Sequence, residues 1–149
     1  MIYFDTSFIA PFYIYEASST TVVPIILSLP INKLAMSHWT AIEFASVLAR
    51  KCRMKDISTE LANDLLDLFE YEMRTSYQVI LPTQSDYHLA ISFLKQPKLG
   101  LRAGDAFHLA IAKNHTAELL LTLDDEGLLK AAKLLGIPAG KTTYHILET

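Results

Sequence analysis

The chain has 149 residues, the length of one ordinary domain, since domains cluster near ~100–150 residues. Hydrophobic residues make up 51% of it, enough to bury a sizeable core and to exclude wholesale disorder. Thirteen basic and sixteen acidic residues leave a net charge of −3, which excludes a protein that grips nucleic acid through an overall positive field and leaves room for one local basic patch.

Met1–Asp5 reads as a strand, followed by a helix from about Ser7 towards Tyr15. Ser18–Leu29 reads as a second helix, whose start and regularity Pro24 disturbs. Lys33–Met36 is a short strand. Ser37 is placed to cap a helix from His38 to about Arg53, and basic residues crowd that helix's end. Ile57 to about Ser76 is a long amphipathic helix, with Glu60, Asp64 and Asp67 marking its solvated face. Tyr77–Leu81 is a strand, Thr83–Gln96 a helix, Ala103–Asn114 a helix and Glu118–Leu123 a strand. A last helix covers Asp124–Leu135, stopped by Gly136 with Pro138 beyond, and Lys141–Ile146 is an edge strand. Strands separated by helices of this length predict a parallel sheet with helices on both faces. The expected class is α/β, a single domain over residues 1–149 with four to five parallel strands. No stretch approaches the ~20 uncharged apolar residues of a membrane span. The start, MIYFDTSFIAPF, lacks a basic leader, and the lone Cys52 suits a reducing compartment, so the expected location is the cytoplasm.

Most acids lie on helix faces among other polar residues, and four do not. Asp5 is the only charge in the first fifteen residues. Glu43 is the only acidic or basic residue in LAMSHWTAIEFASVLA. Asp105 stands alone in AGDAFHLAIA, and Asp124 ends the run LLLTL. A carboxylate in apolar surroundings is costly unless it is paired, hydrogen-bonded or bound to a cation. No comparably placed lysine or arginine accompanies these four, which points to one shared cation. Each acid also has a plainer reading: Asp5 or Asp105 as a helix cap, Glu43 on a solvated face, Asp124 in an acidic first turn favoured by the helix dipole. In an open parallel sheet, ligands bind outside the carboxyl ends of the strands, and Asp5 and Asp124 sit at two such ends. An all-oxygen donor set suits Mg²⁺, with Mn²⁺ as a substitute.

MIYFDTSFIA, AIEFASVLAR, LRAGDAFHLAIA and LLTLDDEGLLKAAKLLGI, in that order, resemble the successive motifs of PIN-domain nucleases, and more closely those of VapC-type toxins of toxin–antitoxin pairs. The resemblance runs from residue 1 to about 138. It implies a PIN-like fold and a Mg²⁺- or Mn²⁺-dependent endoribonuclease with Asp5, Glu43, Asp105 and Asp124 as its catalytic acids. Asp5, Asp105 and Asp124 are the expected metal ligands, and Glu43 the residue that orients water. Thr6, Ser7 and Thr122 match the family's hydroxyl positions beside them. Asp125 adjoins Asp124 and can supply the ligand or a supporting contact instead. The resemblance further implies an RNA substrate, a small cognate antitoxin and a homodimer. Hydrolysis by metal-activated water would leave 5′-phosphate ends.

Arg50, Lys51, Arg53 and Lys55 place four positive charges in six residues. They serve either as favourable charge at a helix end or as a phosphate track, Arg50 and Arg53 being the RNA-contact candidates there. Arg102, three residues before Asp105, is the candidate nearest the acids. His108, one turn after Asp105, reads as a satisfied core histidine and is left out of the metal site. Phe8, Phe12, Tyr13 and Tyr15 form core or an aromatic groove for an antitoxin helix. A haloacid-dehalogenase-type phosphatase would want a second acid where Ser7 stands, and a receiver domain would keep paired acids near the first strand. Two alternatives remain beside the toxin reading: a PIN-domain nuclease of RNA processing, and a non-enzymatic binding module.

Overall fold

The computed structural model describes residues 1–143. In chain order the elements are β1 (Ile2–Phe4), α1 (Thr6–Tyr13), α2 (Ser19–Ser28), β2 (Leu34–Ser37), α3 (His38–Arg53), α4 (Thr59–Ser76), β3 (Gln78–Ile80), α5 (Gln84–Leu94), α6 (Ala103–Asn114), β4 (Leu119–Leu121), α7 (Lys130–Leu135) and β5 (Ala139–Gly140). All five strands are parallel, in the order β3-β2-β1-β4-β5. The chain steps outward from β1 through β2 and β3, then returns to the other side of β1 with β4. That reversal puts the ligand-binding crevice of an open parallel sheet outside the carboxyl ends of β1 and β4.

Strand alternation divides the core in two. Ile2, Phe4, Leu119 and Leu121 face α1–α4, where Phe8, Val22, Phe44 and Phe69 are buried. Tyr3 and Leu120 face α5–α7, packed among Phe93, Leu109, Leu128 and Ala132. Helix starts follow the local chemistry of the sequence. Ser37 and Thr40 form a reciprocal capping box at α3, Ser58 caps α4 through the Leu61 N–H, and Thr83 with Asp86 opens α5. α2 runs through Pro24, because Val22 and Ile26 on either side of it are buried and tertiary packing outweighs one missing N–H bond.

Two expectations are corrected. The predicted final helix from Asp124 is in two pieces, a π-turn over Asp125–Leu129 and then α7. The predicted edge strand Lys141–Ile146 is displaced: β5 is Ala139–Gly140, where Leu120 N–H donates to Pro138 O and Thr122 N–H to Gly140 O. β4 has room for only these rungs, so the strand begins directly after Pro138. Lys141–Thr143 is not strand, and residues 144–146 lie outside the described chain. No described helix is long and apolar enough to cross a membrane.

Candidate active site

Asp5 is the first residue beyond β1. Its carboxylate caps α1, with Oδ1 accepting the Phe8 N–H at 3.1 Å and the Ser7 hydroxyl at 2.8 Å. Oδ2 accepts the Thr122 hydroxyl at 3.0 Å. Ser7 Oγ in turn accepts the Leu123 N–H at 2.9 Å, and Thr122 Oγ1 accepts the Asp124 N–H at 3.0 Å. Two hydroxyls thus tie the ends of β1 and β4 together around one carboxylate. Burial pushes the Asp5 carboxyl above its ordinary value, against the opposing pull of His108 and these donors.

Glu43 reaches the same crevice from the middle of α3. Its Oε1 accepts the Thr6 hydroxyl at 2.8 Å and also meets His108 Nε2. Burial works to raise its carboxyl, but His108 and Thr6 outweigh burial and hold it below the usual carboxylate range. Oε2 lies over Gly104, 2.9 Å from where a β-carbon would stand. No described residue donates to it.

Asp105 is the third residue of α6, in its first turn after the cap residue Arg102. Its carboxyl is pushed up by burial and by the charges of Asp124 and Glu43, with His108 opposing. Asp124 caps the π-turn: Oδ1 accepts the Gly127 N–H at 3.0 Å and Oδ2 the Leu128 N–H at 3.2 Å. A β-carbon on Gly127 would lie 2.5 Å from Asp124 Oδ2, so the cap requires glycine there. The plainer cap reading of Asp5 holds, with its carboxylate buried and not lining the cleft; Asp124 is a cap, one residue before the first turn expected for it. For Asp105 the cap position belongs to Arg102.

Glu43, Arg102, Gly104, Asp105, Asp124 and Glu126 line one open cleft of about 510 Å³. Asp125 turns away and pairs with Lys141, so Asp124 is the acid on the cleft wall. A second groove, about 590 Å³, begins at Thr6, Ser7 and Glu43 and ends at Arg50, Lys51 and Arg53. Glu43 is the wall between the two. The aromatic residues of α1 and the segment just after it divide, with Phe8 fully buried, Phe12 and Tyr13 packed against the core, and Tyr15 87% exposed.

Sequence reasoning left out two residues that touch this site. His108 lies three residues after Asp105, hence on the same helix face, and that spacing was the available signal. The indole N–H of Trp39 is buried without a partner among the described residues, and Nε1 is 3.6 Å from the missing Gly104 β-carbon. Nothing in the linear sequence marks it.

The donor set fits a hydrated hard cation. The described acidic, histidine and cysteine side chains do not close into a three-residue cage around an ion. Mg²⁺ needs only one or two carboxylates, because it keeps several of its waters. Asp105 and Asp124 offer those carboxylates, with Asp5 behind them, and the unpartnered Trp39 N–H and Glu43 Oε2 call for water at the same wall.

Comparison with known proteins gives the family and the fold. The family model of the PIN domain matches residues 2–134. The fold is similar to the structure of FitAcB from Neisseria gonorrhoeae, with a TM-score of 0.73, 18% identity and coverage of 93% of this chain and 96% of that one. It is similar to VapC20 of Mycobacterium tuberculosis, described as a sarcin–ricin loop cleaving toxin, with a TM-score of 0.70, 20% identity and coverage of 85% and 92%. VapBC-1 from nontypeable Haemophilus influenzae aligns with a TM-score of 0.64, 16% identity and coverage of 94% and 97%. No curated protein matches the sequence.

Proposed function

The chain belongs to the PIN-domain family, and from that premise we propose that it is a divalent-metal-dependent endoribonuclease, the toxin of a toxin–antitoxin pair acting in the cytoplasm. One observation carries the reading: carboxylates from three separate elements, α3, α6 and the loop after β4, line one open cleft at the switch between β1 and β4. Structural caps alone would not need to converge there.

Asp105 and Asp124, with Asp5 behind them, are the residues that would hold Mg²⁺ or Mn²⁺. The ion would supply charge neutralisation at the phosphate and a lowered pKa for water. Glu43, held ionised by His108 and Thr6, presents Oε2 as acceptor for the attacking water. Arg102 on the same rim supplies a cation for the phosphate being cut, and the Arg50–Arg53 groove a track for the flanking backbone. The bond from water oxygen to phosphorus forms and the bond to the 3′-oxygen breaks, leaving a 5′-phosphate.

The antitoxin and the homodimer are part of the proposal. They rest on the family resemblance and on the toxin–antitoxin complexes among the structures of similar fold. The test is purified protein on total cellular RNA with Mg²⁺, Mn²⁺ or EDTA, beside Asp105→Asn. Metal-dependent cutting that the variant loses is the expected result. No cutting in any metal, together with no metal binding by calorimetry, would move the protein to the binding-module reading.

A further inference from the structure

His108 is 2% exposed in the buried middle of α6, and both its ring nitrogens are engaged. Nε2 meets Glu43 Oε1, with the Thr6 hydroxyl 3.5 Å away. Nδ1 meets the Tyr3 hydroxyl at 2.8 Å. That hydroxyl also lies 2.8 Å from Ser37 Oγ, and Ser37 is held by the capping box at the start of α3. Tyr3 is wholly buried, and burial keeps its phenol protonated.

The donor inventory fixes the first bond of this chain. An ionised Glu43 can only accept, so Nε2 carries the proton. Nδ1 and the Tyr3 hydroxyl share the next bond, and the Tyr3 hydroxyl and Ser37 Oγ the one after. Every member is satisfied. Glu43 itself sits on a long side chain halfway along a sixteen-residue helix, where nothing on α3 determines its rotamer. Two donors from other elements, Thr6 on α1 and His108 on α6, hold Oε1 and leave Oε2 over Gly104 at the cleft.

We propose that His108 is a positioning residue for Glu43, and that Tyr3, behind it in the core, holds the imidazole in the orientation this requires. The inference rests on the reading of Glu43 as part of the nuclease site. It separates His108 from a core histidine that merely fills space between α3 and α6.

The experiment compares kcat, KM and Tm for wild type, His108→Gln, His108→Asn and Tyr3→Phe. A glutamine amide reaches the Nε2 position and can donate to Glu43, whereas an asparagine amide stops at the Nδ1 position. His108→Asn is expected to lose about 10–100-fold in kcat, the usual cost of removing such a supporting contact, with KM little changed. His108→Gln should recover most of that loss. Tyr3→Phe keeps the aromatic packing while removing one partner from Nδ1 and Ser37, so it should lower kcat at a temperature where it is fully folded despite a lower Tm, and the proposal stays testable even if the histidine variants unfold. Wild-type kcat in folded His108→Asn or in Tyr3→Phe overturns the proposal, as does an equal loss in Asn and Gln variants that tracks their Tm. If wild type cuts no RNA, the nuclease reading fails by itself. Nitrogen-resolved NMR then reads the bond to Glu43 directly: a proton on Nε2 in wild type supports the arrangement, and an unprotonated Nε2 refutes it.

Discussion

A β-carbon at Gly104 would stand 2.9 Å from Glu43 Oε2, closer than real contacts allow, and Glu43 cannot simply swing aside because Oε1 is held at two points. Gly104 is also the second residue of α6, where alanine favours the helix by roughly 0.5–1 kcal/mol. The two effects act in opposite directions on two observables. Gly104→Ala should therefore leave Tm at or near the wild-type value while lowering RNA cleavage by about 10–100-fold, the scale of a small misplacement of a reacting group. Full activity in a folded Gly104→Ala would show that the position of Oε2 does not matter to the reaction. At this scale the sequence was informative about which acids stand apart from polar faces. It could not show how they are held, because the partners of Asp5 (Ser7 and Thr122) and of Glu43 (Thr6 and His108) include residues more than sixty positions away. Asp124 lines the cleft while Asp125 faces Lys141, a difference of which adjacency in sequence gives no sign.

At the scale of elements, the helix carrying Asp105 is fixed at its other end by a second buried acid. Asp86, on α5, is fully buried and accepts the Thr83 N–H at 2.8 Å, the Thr83 hydroxyl at 3.2 Å, Asn114 Nδ2 at 2.8 Å and His115 Nε2 at 3.0 Å. Asn114 ends α6 and His115 follows it, so one carboxylate closes the start of α5 and clamps the end of α6. Burial pushes the Asp86 carboxyl up, but the Thr83 N–H, Asn114 and His115 together bring it below its ordinary value. A folded-state pKa below the unfolded one means that the stabilisation is present above the ordinary carboxylate value of ~3.9 and is lost as pH falls below it. Asp86→Asn turns an acceptor into a donor facing other donors, and should cost about 2–4 kcal/mol at neutral pH. Denaturant midpoints across pH would show that difference narrowing as pH falls from about 4. A difference independent of pH would mean that the carboxylate's charge contributes nothing to the clamp. The element order was legible in the sequence because caps such as Ser37 and stops such as Gly136 are local chemistry. The last helix and the last strand were misplaced for a complementary reason. The π-turn depends on where the Asp124 side chain finds its N–H donors, and β5 depends on the short length of β4; both are settled by contacts beyond the local pattern.

For the whole molecule, the proposed function poses a difficulty: a chain of net charge −3, with four acids on the cleft, would have to approach a polyanion. Charges separated by more than ~8–10 Å are screened at physiological salt, so an RNA near the surface responds to local charge and hardly at all to the net value. The groove that runs from Thr6 and Ser7 past Glu43 to Arg50, Lys51 and Arg53 offers such a local field, continuous with the acid cleft through Glu43. The same three cations lie in the last turn of α3, where the helix dipole accounts for their presence without any ligand. Salt dependence separates the two accounts, because each phosphate contact to single-stranded nucleic acid contributes ~0.7 to the slope of log K against log salt concentration. Arg50→Ala and Arg53→Ala should each weaken RNA binding and reduce that slope by ~0.7, measured with the Asp105→Asn variant so that the RNA stays intact. A parallel loss of stability of ~0.3–1 kcal/mol per arginine would report the dipole contribution, which does not depend on RNA. An unchanged slope with that loss of stability would confine the basic turn to finishing α3. The track for the RNA backbone would then have to start from Arg102, which lines the cleft with the acids.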